Sequence, residues 1–203
     1  MPGPAPKTRI YNEGESMVFV NRFFEERVEQ LFDLANLVEE IFSSAGIEYR
    51  IIGGLAVYLY VEEVEPDAGR LTKDIDVAVR REDLDRIAEA AKSFGMELRH
   101  VAGVDMLVRS DQPSARRAVH LVFTGEKVRP EYLTATPSFG EPKAMGGLRL
   151  IPLADLVRMK LTSFRAKDEA HIKDLDEAGL VTPEIEAGLP RELAERLART
   201  RLR

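Results

Sequence analysis

The sequence predicts an α/β domain closed by a helical C-terminal segment, and three observations carry that prediction. An apolar strand at 47–52 runs directly into Gly53-Gly54. A largely apolar helix follows at 55–64. The stretch Arg70-Leu71-Thr72-Lys73-Asp74-Ile75-Asp76-Val77 then reads as a strand carrying two carboxylates one residue apart. Side chains alternate across a strand, so Asp74 and Asp76 project together while Ile75, Val77 and Val79 face the other way.

The other elements follow in order. The opening Met1-Pro2-Gly3-Pro4-Ala5-Pro6-Lys7 lacks the apolar core of a secretory signal, so residues 1–21 are read as an arm. Phe24, Val28, Leu31, Ala35, Val38 and Phe42 recur at helical spacing, which predicts an amphipathic helix over 22–44, stopped near Gly46. The helix at 55–64 begins at the two glycines, where free N–H groups and the positive end of the helix dipole suit a phosphate. Glycine there lets the backbone approach a ligand closely. Asp83 can cap a helix to about residue 93, ended by Gly95. Extended segments at 97–109 and 116–123 flank the turn-rich Ser110-Asp111-Gln112-Pro113-Ser114. Residues 134–147 read as a loop, 148–151 as a short strand and 153–203 as helical. The expected organisation is therefore an arm (1–21), a small mixed-sheet domain (22–152) and a helical region packed on it (153–203). Gly179 ends a helix, and Thr182-Pro183-Glu184 starts another with a cap and a first-turn proline. Pro190 and Leu193 to Leu197 form a final helical turn that covers the core or supports a homodimer.

Composition narrows the function classes. A chain of 203 residues with 44% hydrophobic content can bury a sizeable core. Cysteine is absent, which excludes disulfides and thiolate metal sites and fits a reducing cytoplasm. No apolar run approaches the ~18 residues of a membrane span. The net charge of −6 opposes broad, sequence-blind binding to nucleic acid. A local basic cleft remains compatible with it, because Arg70, Lys73, Arg80 and Arg81 flank the aspartates and Arg116 and Arg117 precede a later strand.

Two carboxylates held together on one strand face repel each other. A divalent cation between them reverses the sign, and an all-oxygen site suits Mg²⁺ or Mn²⁺ better than zinc. Magnesium commonly takes its remaining ligands from water and from substrate phosphates, so a nucleoside triphosphate is the expected third party.

These residues carry a resemblance. A strand ending in Gly-Gly, a helix, then an Asp-apolar-Asp strand resembles the signature of the nucleotidyltransferase superfamily. The fuller pattern Gly53-Gly54 with Arg70-x-Thr72-x-Asp74-Ile75-Asp76 is most similar to the branch holding the abortive-infection toxins and many bacterial relatives. The similarity covers roughly residues 47–176. It implies that Asp74 and Asp76 hold metal and that Gly53, Gly54, Arg70 and Thr72 belong to the nucleotide site. Such enzymes place a third Asp on a later strand; the matching segment here, Ala118 to Phe123, has His120 in that position. Imidazole can act as a general base near neutral pH but is a poor magnesium ligand. His120 is thus a replacement base, the remnant of a degraded site, or a strand histidine without a role. Asp105 is the other nearby carboxylate on a predicted strand.

Were 153–175 one helix, Lys160, Lys167, His171 and Asp174 would share a stripe with Leu153, Leu156 and Leu175, which reads as a polar patch at a cleft rim. The resemblance makes Lys160 a phosphate ligand, with Lys167, Asp168, His171 and Asp174 around it; packing of the lysine stem on apolar surface is the plainer alternative. The function expected is metal-dependent transfer of a nucleoside monophosphate to a hydroxyl on a small molecule, protein or RNA. The rival is a catalytically impaired nucleotide-binding or interaction protein of the same fold, a partner in a toxin-antitoxin or defence pair.

Overall fold

A computed structural model describes residues 13–111, 113 and 118–202, with side chains from Glu26 onward. The elements run α1 (Glu13–Ser44), β1 (Arg50–Ile52), α2 (Gly53–Val64), β2 (Ile75–Val79), α3 (Leu84–Lys92), β3 (Met96–Val101) and β4 (Val104–Arg109). After these come β5 (Val119–Phe123), β6 (Lys143–Met145), β7 (Leu148–Leu150), α4 (Leu153–Ser163), α5 (Ala166–Glu177), α6 (Pro183–Ala187) and α7 (Arg191–Arg201).

The strands form one mixed sheet in the order β3-β4-β5-β2-β1-β7-β6. The pairs β2/β5 and β1/β7 are parallel and the others antiparallel. This is the α/β mixed-sheet class expected from the sequence. Alternation holds within β2, where Ile75, Val77 and Val79 are fully buried and Asp76 stays partly exposed, but the strand begins only at Ile75, so Asp74, expected on it, stands one residue before. In α1, Leu31, Ala35, Val38 and Phe42 enter the core as a stripe at helical spacing. One apolar cluster continues from Leu31 through the sheet to Leu193 and Leu197 of α7. Arg196 of α7 donates to the carbonyls of Leu161 and Thr162 at 2.7 Å, satisfying acceptors at the end of α4. The last helix therefore covers the core.

Four other expectations change. Helix α1 begins at Glu13, inside the stretch assigned to the arm, while residues 1–12 and Arg116 and Arg117 lie outside the described residues. The segment 97–109 is a hairpin, because Ala102 and Gly103 adopt φ of +50° and +80°, the signs a tight two-residue hairpin turn requires. The loop at 134–147 contains β6, paired to β7 across Gly146 and Gly147. The single helix over 153–175 is broken at Phe164, where φ is +46°. There, Asp168 accepts from the Arg165 backbone N–H at 3.3 Å and the Ser163 hydroxyl at 2.8 Å, starting α5 in a new direction. Downstream, Thr182 caps α6 through the Ile185 N–H, as its sequence predicts. Among the described residues no helix is long and apolar enough to cross a membrane.

Candidate active site

The pairing of β1 with β2 builds the site. Ile52 lies opposite Asp76, so the next residue, Gly53, turns directly over the Asp76 side chain. Its φ of +71° is a left-handed conformation, and a Cβ there would overlap the Asp76 carboxylate. At Gly54 a Cβ would lie 2.8 Å from the Thr72 hydroxyl. The glycines are thus required first by contacts within the chain, which let the start of α2 sit against the aspartate strand. The residue capping α2, Ile52, has no side chain able to accept from the first-turn N–H groups, so that end keeps donors for an anion. Thr72 donates to Asp74 Oδ1 at 2.9 Å and orients that carboxylate.

From the other side, the parallel pairing of β2 with β5 sets Asp76 beside His120. Nδ1 of His120 lies 3.2 Å from Asp76 Oδ1 and 3.9 Å from Asp74 Oδ2. Its pKa is raised, chiefly by the hydrogen bond to Asp76 and against the effect of burial. For Asp74, burial pushes the pKa up, but the Lys167 ammonium, the Thr72 hydroxyl and His120 together bring it below the usual carboxylate range. Asp105 is not part of this group. It pairs with Leu121 rather than His120, which puts it on the opposite face of the sheet, and it binds His100 Nδ1 at 2.7 Å.

The break between α4 and α5 redistributes the expected stripe. Lys160 is 6% exposed and bonds Asp168 Oδ1 at 3.3 Å. Burial lowers its pKa against the pull of Asp168 and Asp76. Asp168 is fully buried; burial alone would raise its pKa, but hydrogen bonds from Arg165 and Ser163 and the Lys160 charge hold it at about 2. Lys167, the second residue of α5, instead reaches Asp74 Oδ1 at 3.7 Å. His171 is buried with Nδ1 unpartnered, and burial together with the nearby lysines lowers its pKa to about 4. Asp174 points away to Arg70, whose Nε donates to it at 2.8 Å. Arg70 is therefore occupied by α5 rather than free for a nucleotide.

Other flanking cations are engaged as well. Arg80 pairs with Glu48 and stacks on Phe139, and Arg81 pairs with Glu126 and stacks on Phe123. A cleft of about 820 Å³ runs from Gly53, Asp74, Asp76 and His120 along α4 and α5 to the segment 126–136. The sequence reading missed Arg165, which lines this cleft beside Asp168, and the opposite wall formed by 126–136. The spacing Arg165-x-x-Asp168, which matches a reach-back carboxylate at a helix start, was the available signal for Arg165; the loop wall has none.

One ligand atom each from Asp74, Asp76 and His120 lies within 4.8 Å of the others, close enough for a single divalent cation. Two carboxylates suit Mg²⁺ or Mn²⁺, and the imidazole shifts the preference toward Mn²⁺. Neither a scan of protein-family models nor a search of the curated proteins finds a match to this chain. Among solved structures, an antigenic nucleotidyltransferase-like protein from Paracoccidioides brasiliensis matches at 21% identity and a TM-score of 0.53, over 84% of this chain and 87% of that one. The Megavirus polyadenylate synthase matches at 10% identity and a TM-score of 0.50, over 90% of this chain but 41% of its own. The chain has the nucleotidyltransferase fold. In this nucleotidyltransferase-fold protein the carboxylate pair, the glycine turn and His120 meet at one end of the cleft, with Lys160 and Lys167 contributed by the C-terminal helices.

Proposed function

We propose that the protein transfers a nucleoside monophosphate from a nucleoside triphosphate to a hydroxyl acceptor, with a divalent cation held by Asp74 and Asp76. The observation that carries this reading is the convergence of two carboxylates and an imidazole against a helix start whose glycines admit no side chain. When bound, the cation would neutralise phosphate charge and lower the pKa of a ligated hydroxyl. The backbone N–H groups at the start of α2 would receive phosphate oxygens. Lys160 would act through its charge, since its ammonium is anchored on Asp168. In the reaction the acceptor oxygen bonds to the α-phosphorus, the bond to the bridging oxygen breaks, and pyrophosphate leaves. The acceptor proton passes to His120 in its neutral form.

A specific observation favours the rival reading, a nucleotide-binding protein without turnover. His120 lies opposite Asp76, where the resemblance expects a third carboxylate, and its Nδ1 is already engaged with Asp76 Oδ1 at 3.2 Å. The test incubates labelled nucleoside triphosphates with the protein and cell extract, comparing wild type, His120→Ala and His120→Asp. Transfer by wild type that falls by ~10²-fold or more in His120→Ala supports the histidine base. Nucleotide binding without transfer in wild type, with turnover gained by His120→Asp, supports the impaired site.

A further inference from the structure

We propose that Lys167 is a resident counter-ion of the metal site: it neutralises Asp74 in the free protein and transfers to the triphosphate on loading, which strengthens the cooperativity between cation and triphosphate. This inference rests on the nucleotide reading above and adds to it the cation that moves. The two lysines of the cleft are held differently. Lys160 is 6% exposed and paired to a buried carboxylate, so moving its ammonium breaks a buried ion pair. Lys167 has a side chain 54% exposed, and its ammonium stands 3.7 Å from Asp74 Oδ1, beyond hydrogen-bond reach. A long, half-exposed lysine at that distance is held by charge alone and moves at little cost.

Its position creates competition. The ammonium and an incoming divalent cation both draw on Asp74, whose other oxygen faces His120 at 3.9 Å. A cation arriving alone therefore displaces a favourable neighbour. When a triphosphate arrives with it, Lys167 gains a new anionic partner and the competition ends. The two ligands raise each other's affinity by the same factor, as linkage requires, and the shift of Lys167 adds to the part of that factor that direct cation–phosphate bonding supplies. Arg165 is a poorer candidate for this role, because its Nε is committed to Asp168 at 2.7 Å.

The experiment titrates wild type, Lys167→Gln and Lys167→Arg with Mn²⁺ alone, with inorganic tripolyphosphate alone, and with both, following heat and manganese spin resonance. Inorganic tripolyphosphate removes any dependence on nucleotide identity. In Lys167→Gln, Mn²⁺ alone should bind about two- to fivefold more tightly, the range for an exposed ion pair, and the cooperativity with tripolyphosphate should fall by at least a similar factor, leaving the part that comes from direct bonding of the cation to phosphate oxygens. Lys167→Arg should keep most of the cooperativity. Unchanged Mn²⁺ affinity and unchanged cooperativity in Lys167→Gln, with wild type binding both ligands, would overturn the counter-ion role alone. Wild type binding neither ligand would overturn the nucleotide reading on which it rests.

Discussion

Two clusters of similar composition lie along one cleft and are built for opposite purposes. At Lys160, Asp168, Arg165 and Ser163, the carboxylate is fully buried and each oxygen has protein donors. At Asp74, Asp76 and His120, the carboxylates are about a third exposed, the imidazole nitrogen stands 3.2 and 3.9 Å from them and the Lys167 ammonium 3.7 Å from Asp74. The first cluster fixes the angle between α4 and α5, and hence the cleft's wall. The second leaves acceptor capacity unused, as the proposed cation site requires. Burial and satisfied bonds, rather than residue type, separate a structural charge cluster from a binding one.

The sharpest way to break this comparison is to truncate each end of the buried pair. Asp168→Ala leaves Lys160 buried without its partner and should cost about 3 kcal/mol or more by urea unfolding. Lys160→Met leaves Asp168 with Arg165 and Ser163, so the loss should be smaller, roughly 1–2 kcal/mol. Equal and negligible losses from both variants would show that the cluster does not hold the helices. The Asp168 contact gives Lys160 a structural part that the sequence, offering a phosphate ligand or a stem packed on apolar surface, did not reveal.

A second difference between the clusters appears with pH. His171 is buried beside the structural cluster with a pKa lowered to about 4 from an ordinary 6.5. The unfolded chain therefore binds the extra proton first. The stability contributed by neutral His171 is complete above pH 6.5 and is lost as pH falls from 6.5 toward 4, by up to about 3 kcal/mol. His171→Leu should flatten that limb in a series of thermal melts. Asp168, at about 2, titrates below this window and leaves it undisturbed.

How far each cluster was legible follows from the physics that builds it. The open site is written in local rules: alternation pairs Asp74 with Asp76, and Gly53-Gly54 marks a turn where a side chain cannot fit. His120 was reached because its strand reads clearly, and the register then set it beside Asp76. The buried cluster was misread because periodicity runs unbroken across Ser163-Phe164-Arg165, with neither Gly nor Pro to mark the stop. Phe164 adopts a left-handed conformation that its residue type disfavours, and the bonds that Ser163 and Arg165, on either side of it, make to the buried Asp168 hold the turn. The hairpin at Ala102-Gly103 was missed for a related reason, since a lone glycine in an extended run is a weak turn signal.

The central claim is that Asp74 and Asp76 form a cation-dependent triphosphate site, and calorimetric titration of the intact protein with a non-hydrolysable triphosphate tests it most directly. Strong binding is expected with Mn²⁺ or Mg²⁺, little with chelator, and loss of the metal-dependent part in Asp76→Asn. Folding stability of that variant should stay within about 0.5 kcal/mol of wild type, because a partly exposed carboxylate is replaced by an isosteric amide. Equal triphosphate affinity with cation and with chelator, or undiminished metal-dependent binding in Asp76→Asn, would contradict it.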